Sequence, residues 1–298
     1  MVSPGRPDDP SLDTSSSHKA GGRRGILERA TESLALVSVW NETLGTSGWP
    51  RETHSSSPAG NGYNACHSEI SLRDDMEETM ADKKGTGLLM VWVDVPPDQE
   101  DEFNHWYNEE HLAELLAIPG VLSAARYEAV RSGPKHLACY ELESKAVMDT
   151  DAFKNRPTTE WAERVGPRAI ATTLINNVYE MIYPTGLSQD IAQSGMAPAL
   201  QIGRMSISPE NEDEWNRWYS GVYVPNYEKV PGCIRGRRWR AVRGEPTYGV
   251  VYEFQDEKVS ETPEWEKQRD IDPDNARMRS LMTHAPGSPG IWKKTYQP

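Results

Sequence analysis

The sequence predicts an α+β fold made of two tandem ferredoxin-like (βαββαβ) units, preceded by a segment without regular structure. Residues 97–142 align without a gap on residues 209–254, and 16 of these 46 positions are identical. Each copy carries the same alternation of strand-like and helix-like patterns. A βαββαβ unit leaves one face of its sheet bare, so two copies can pack sheet to sheet. We therefore expect units at 87–184 and 198–298, joined by a linker at 185–197.

The elements of the first unit follow from apolar periodicity and from turn residues. The apolar run at 87–95 predicts a buried strand. After it, residues 97–118 begin with acidic residues and continue with apolar side chains at helical spacing, which predicts a helix ended by Pro119-Gly120. The remaining predicted elements are strands at 122–130 and 137–142, a second helix at about 152–165 and a closing strand at 176–182.

The second copy differs from the first after its second helix. Thr158 matches Thr262 at an offset of 104, whereas Tyr183 matches Tyr296 at an offset of 113. The second copy therefore has nine extra residues in this region.

The first 79 residues lack the apolar periodicity of the two repeats. They are rich in Ser, Gly, Pro, Asp and Arg, and such a segment cannot bury enough apolar surface to offset its ordering entropy. We expect a disordered N-terminal extension at 1–79, with at most a short helix at 26–36. Met76 and Met80 precede the first strong strand, and whether the natural start is one of them is left open.

The composition limits the partners. A formal charge of −13 and a pI near 5.1 argue against nucleic acid and against an anionic membrane surface, and leave a small-molecule substrate. Three scattered cysteines without CxxC spacing predict a reduced, cytoplasmic chain. No apolar run near the N-terminus is long enough for a membrane span. Whether two copies of the fused pair form a homodimer is left open.

The pattern Phe103-x-x-Trp106-Tyr107-x-x-x-His111, followed by Pro119-Gly120 before a strand, resembles the EthD-like branch of the dimeric α/β-barrel superfamily. The resemblance covers both repeats and none of the N-terminal segment. It implies a fused dimeric α/β barrel and a small-molecule enzyme, usually cofactor-free, that acts on aromatic, lactone or polyketide-like compounds.

His111 is the foremost candidate for catalysis. The second copy has Tyr223 at this position and Pro225 two residues later, which predicts that the helix breaks there. The resemblance likewise implies a histidine at such a kink. Imidazole suits proton transfer near neutral pH, and Glu109, Glu110 or Asp94 could orient it. The alternative is a structural histidine that is hydrogen-bonded to the backbone.

Several other side chains are candidates for the site. Tyr107 lies one helical turn before His111 and can share its face, with packing against the sheet as the alternative. Arg126 matches Arg238 and could clamp a substrate carboxylate, with salt bridging to acidic residues as the alternative. Predicted catalytic residues are His111, Tyr107, Glu110 and Asp94; predicted substrate-binding residues are Trp92, Trp106, Arg126, Tyr140 and Tyr223.

We predict no metal site and no cofactor. The seven histidines show no HxH or HExxH arrangement, and the cysteines form no cluster. Other branches of the superfamily that this chain resembles bind haem, but the sequence offers no identifiable proximal ligand.

Three functions compete. The first is a cofactor-independent isomerase or lyase that uses His111 as acid or base, in a reaction such as decarboxylation or elimination. The second is a cofactor-free monooxygenase of an aromatic substrate, and the third is a non-catalytic ligand-binding module. Because the second copy has Tyr223 in place of His111, we expect only the first copy to be active.

Overall fold

The computed structural model describes residues 84–298. The predicted N-terminal extension at 1–79, its short helix at 26–36 and the alternative starts at Met76 and Met80 lie outside the described residues.

The first repeat follows the predicted order, with one difference. Its elements are β1 (Gly87–Asp94), α1 (Glu100–Trp106), a π-helical turn (Tyr107–His111), α2 (Leu112–Leu116), β2 (Val121–Arg131), β3 (His136–Leu142), a 3₁₀ turn (Lys145–Asp149), α3 (Asp151–Lys154), α4 (Glu160–Val165), α5 (Pro167–Ile170) and β4 (Thr173–Tyr183). The prediction of a single helix over 152–165 is wrong, because the structure divides this stretch into α3 and α4. Pro157 disfavours helical backbone at the residue before it, and the Thr159 hydroxyl caps a new helix at the Ala162 amide.

The second repeat repeats this plan after a short helix in the linker. Its elements are α6 (Gln189–Ala192), β5 (Ala199–Ile207), a 3₁₀ turn (Pro209–Asn211), α7 (Glu212–Trp218), a π-helical turn (Tyr219–Tyr223), α8 (Val224–Tyr227), β6 (Cys233–Arg243), β7 (Tyr248–Phe254), a 3₁₀ turn (Glu257–Glu261), α9 (Pro263–Lys267), α10 (Asn275–Ser280), β8 (Met282–His284) and β9 (Gly290–Tyr296). The extra residues contribute to the segment that holds α10 and β8. We did not predict β8, which pairs with β5.

The eight long strands close into one antiparallel barrel. The order within the first repeat is β4-β1-β3-β2 and within the second β9-β5-β7-β6. The repeats join twice, where β2 pairs with β9 and β4 pairs with β6. Each repeat thus covers both edge strands of the other, which leaves no open edge in the barrel. The predicted fold, a fused dimeric α/β barrel of two ferredoxin-like units, is confirmed.

Strand alternation divides the side chains between the barrel interior and two outer cores. The interior is aromatic at its centre, and its largest apolar side chains are Trp92, Tyr127, Tyr179, Trp239 and Trp292, all buried. The helices lie outside, where each packs on the outer face of its own sheet and forms a separate core. The barrel interior and the space between each sheet and its helices are therefore separate regions of the protein.

A buried ion network joins the repeats inside the barrel. Glu141 and Glu253 occupy equivalent positions in β3 and β7, and the Arg237 guanidinium donates to both. The Lys84 ammonium lies 3.7 Å from Glu141 and 3.5 Å from Glu253. Burial raises the pKa of the Glu141 carboxyl, but the positive charges of Arg237 and Lys84 outweigh it and hold that pKa below its ordinary value.

We predict that Arg237→Met destabilises the protein by about 3–5 kcal/mol, because Glu141 would keep only Lys84 as a counter-charge and Glu253 only Lys84 and Arg235. Urea unfolding at pH 7 measures the change. Arg240→Met is the control, since Arg240 pairs with Glu180 at the surface and such pairs contribute about 0–1 kcal/mol. Equal losses in the two variants would show that the buried network does not stabilise the barrel.

Candidate functional site

A buried arginine fastens the main helix of each repeat to its sheet. In the first repeat the Arg126 guanidinium donates to the Asn104 carbonyl and side-chain oxygens and to Asn108 Oδ1. It also lies 4.6 Å from the Tyr107 ring centroid. Arg238 makes the same set of contacts in the second repeat, with Asn216, Ser220 and Tyr219.

These contacts favour a positioning role for Arg126 over the predicted substrate clamp. Its partners are amide and carbonyl oxygens on the helix. None of these partners is a carboxylate, so the contacts do not support the alternative of salt bridging to acidic residues. Arg126 is 4% exposed, so its donors are directed at the helix that carries His111.

The helix does not break at the candidate position, which corrects the prediction drawn from Pro225. Both copies instead continue through a π-helical turn, in which the Leu112 amide donates to the Tyr107 carbonyl and the Val224 amide to the Tyr219 carbonyl. Such turns widen the helix by one residue and recur at functional sites. The wider turn brings residues five apart together, so His111 stacks on Trp106 with centroids 4.4 Å apart.

His111 lies in an aromatic and mostly buried setting. Its ring also meets the Tyr107 ring edge-on at 5.0 Å, which confirms that the two share a face. Nδ1 is 3.3 Å from Glu114 Oε2, and 19% of the side chain is exposed. With Glu114 ionised, this contact requires a hydrogen on Nδ1 and leaves the lone pair on Nε2.

Burial lowers the pKa of His111 to about 3, and the positive charges of Arg156 and Arg126 act in the same direction. The imidazole is therefore neutral across the physiological range. Burial also raises the pKa of the Tyr107 hydroxyl, so that group remains a hydrogen-bond donor at neutral pH.

The carboxylate that meets His111 is not one of those predicted. Glu109 pairs with His105 at 2.6 Å. Glu110 accepts from Trp106 Nε1 at 2.9 Å and from the Thr159 hydroxyl, which fixes the tryptophan and not the imidazole. Glu114 follows His111 by three residues, and this helical spacing was the sequence signal that could have identified it.

Asp94 is the second predicted partner that lies elsewhere. Its carboxylate accepts from the Lys135 amide at 2.7 Å, beside the turn between β2 and β3. There it borders a shallow cavity of about 600 Å³ at the end of the barrel, with Glu128 and Thr173 in the same wall.

The predicted substrate-binding residues are divided between the two sides of the sheet. Trp106 and Tyr140 belong to the outer core that contains Tyr107. Trp92 belongs to the barrel interior, where it packs against the Arg204 guanidinium at 4.8 Å. Trp92 therefore does not share a wall with His111.

A larger cavity, of about 760 Å³, lies in the second repeat between its sheet and its helices. Tyr219, Tyr223, Tyr252 and Trp265 line it, which places the predicted substrate-binding residue Tyr223 in a cavity wall. The Tyr223 and Tyr227 hydroxyls are 3.3 Å apart. Burial raises the pKa of Tyr223, while its contact with Tyr227 and the charges of Arg279 and Arg269 lower it; the net shift is upward.

Two differences between the copies lie at this cavity. Gly203 and Gln201 line it, where the aligned positions of the first repeat carry Val91 and Leu89. The segment that holds the nine extra residues adds Arg279, Met282 and His284 to the lining. A comparison of sequence copies alone directed attention to His111 and did not find this cavity.

Among residues 84–298, no group of three or more His, Cys, Asp or Glu side chains is placed to hold a metal ion. Over the same range, no helix is both long and apolar enough to cross a bilayer.

The sequence matches no family model and no protein with a curated description. Solved structures of similar shape include an anthrone oxidase-like protein (14% identity, TM-score 0.48, covering 74% of this chain and 94% of that one). A second is a haem-binding protein from Thermus thermophilus (13% identity, TM-score 0.46, covering 72% of this chain and 92% of that one). A third is a mutant chlorite dismutase from Candidatus Nitrospira defluvii (10% identity, TM-score 0.44, covering 74% of this chain and 95% of that one). These similarities are distant, so the functional argument rests on the residues of the chain itself.

We predict that acid destabilises the protein partly through His111. An unfolded imidazole binds a proton near pH 6.5, whereas the folded one resists it down to about pH 3. The contribution of the neutral His111 to the free energy of unfolding is thus fully present above about pH 6.5. It is lost as the pH falls towards 3, and the loss is about 3 kcal/mol at pH 4. Urea unfolding at pH 7 and pH 4 checks this, with His111→Tyr as the comparison.

The variant places in the first repeat the residue that the second repeat carries at the same position. It should lose about 3 kcal/mol less than the wild type between the two pH values. Parallel losses in both proteins would mean that His111 titrates normally in the folded state.

Proposed function

We propose that the protein is a cofactor-independent small-molecule enzyme in which His111 of the first repeat takes a proton from an aromatic, lactone or polyketide-like substrate. The observation that supports this is the combination of a neutral imidazole, a carboxylate at its Nδ1 and a tyrosine hydroxyl on the same helical face. Membership of the EthD-like branch is part of the same proposal and is supported by the Phe103-to-His111 pattern.

The chemical step follows from the tautomer. A C–H bond next to a substrate carbonyl breaks, its proton passes to Nε2, and its electron pair becomes the enolate. Glu114 holds the Nδ1 hydrogen and stabilises the imidazolium that forms. The positive charges of Arg156 and Arg126, which oppose protonation of the empty site, are offset once the enolate carries a negative charge.

This order of events favours some reactions over others. The enolate can be protonated at another carbon, which is an isomerisation, or can expel a leaving group, which is an elimination. Decarboxylation instead leaves a carbanion that must gain a proton, and an imidazole with a pKa of about 3 carries no proton on Nε2 at pH 7. We therefore place the activity among isomerases and eliminating lyases.

A non-catalytic binding module is the second candidate, and the position of the larger cavity favours it. That cavity lies in the second repeat, where Tyr223 replaces the imidazole. The two candidates differ in what the loss of His111 should do.

We predict that His111→Tyr abolishes proton transfer without unfolding the protein. The assay is proton–deuterium exchange in D₂O, followed by NMR, at the acidic C–H of 2-tetralone, anthrone and an aromatic enol lactone. The wild type should accelerate exchange of at least one probe, and His111→Tyr should lower that rate about 10²-fold or more. Tyr223→Phe, at the equivalent place in the second repeat, should leave the rate unchanged.

Full exchange in His111→Tyr, or none with any probe in the wild type, would contradict the proposal and favour the binding module. Oxygen consumption is recorded in parallel. Uptake that depends on His111 would instead indicate cofactor-free oxygenation.

A further inference from the structure

The cavity of the second repeat combines an aromatic interior with a charged rim. Tyr219, Tyr227 and Trp265 are buried in its walls, and the Tyr227 and Trp265 rings lie 4.4 Å apart. Large, partly polar rings of this kind bind planar aromatic ligands through their faces and edges. The interior therefore suits an aromatic body.

The rim carries more positive than negative charge. Three arginines line it, Arg131, Arg269 and Arg279, against two carboxylates, Glu266 and Asp270. The closest pair among them is loose, since Arg279 Nη1 is 3.9 Å from Asp270 Oδ1. In a chain with a formal charge of −13, this local excess of guanidinium groups indicates an anionic ligand group.

One of the three arginines comes from the other repeat. Arg131 ends β2 of the first repeat, and it reaches the second because β2 pairs with β9, where Arg131 lies opposite Ile291. Its Nη2 donates to the Ser260 hydroxyl of the second repeat at 3.2 Å. The cavity is therefore completed only when both repeats are joined.

The same position in the second repeat is Arg243, which ends β6 and does not line this cavity. Arg243 instead contributes positive charge near Arg156, in the first repeat. Arg131 and Arg243 therefore occupy equivalent positions of the two repeats, but only Arg131 lines this cavity.

We propose that this cavity binds an aromatic carboxylate, with the ring against Tyr227 and Tyr223 and the carboxylate at Arg131. The site is separate from His111 and goes beyond the proton transfer proposed for the first repeat. The tyrosine hydroxyls stay protonated and donate hydrogen bonds, while the guanidinium of Arg131 offers the paired donors that match a carboxylate.

The test uses 2-naphthoate as the probe and 2-naphthylmethanol as its neutral analogue, with isothermal titration calorimetry on the full chain. We expect saturable binding of naphthoate at one site and weaker binding of the alcohol. Arg131→Gln should weaken naphthoate binding about tenfold or more and leave the alcohol unchanged. Arg243→Gln, the matched control, should change naphthoate binding less than about twofold.

Equal affinity for the two probes, no saturable naphthoate binding, or equal effects of the two arginine variants would overturn the proposal. The experiment is independent of the proposed activity, because His111→Tyr should leave naphthoate affinity unchanged. Loss of naphthoate binding in His111→Tyr would place the probe in the first repeat and also overturn the assignment.

Discussion

The pairing of each repeat's outer strands with those of the other is the constraint on which the rest of the structure depends. A four-stranded ferredoxin-like sheet has two unpaired edges and one bare face. The β2–β9 and β4–β6 ladders satisfy all of these edges at once and enclose the bare faces as the barrel interior. Because the interior is shared, ions of one repeat neutralise those of the other, as Arg237 does for Glu141.

The same ladders determine where the candidate sites can be. With the interior largely filled by aromatic side chains, the space between each sheet and its own helices is left for ligands. The β2–β9 ladder also brings the end of β2 next to the second repeat, where Arg131 lines the cavity. Fusion of the repeats thus affects the composition of a site as well as the stability of the barrel.

The sequence was sufficient to predict most of the architecture, because the ungapped repeat and the strand-like runs indicate the element order and the bare faces imply closure. The prediction of a helix break before Pro225 was wrong, because a proline two residues after a π-helical turn does not interrupt the helix. No local sequence pattern indicates such a turn. The site was harder to predict, because partners depend on packing and not on spacing alone. Glu110 was expected to face His111, but Trp106 holds its carboxylate. The cavity of the second repeat was missed because its lining includes Gly203, where the first copy has Val91, and part of the segment that holds the nine extra residues.

The two repeats show how one scaffold can hold two different sites. Arg126 and Arg238 fasten their helices through the same contacts, and both helices carry a π-helical turn with an aromatic contact across five residues. The residue at the end of each turn is then free to differ. In the first repeat it is a mostly buried imidazole, and burial lowers its pKa to about 3. In the second it is a phenol, which can donate or accept a hydrogen bond, as in its contact with Tyr227, but is not a base at neutral pH. The two copies thus differ at this position while the fold around it is the same.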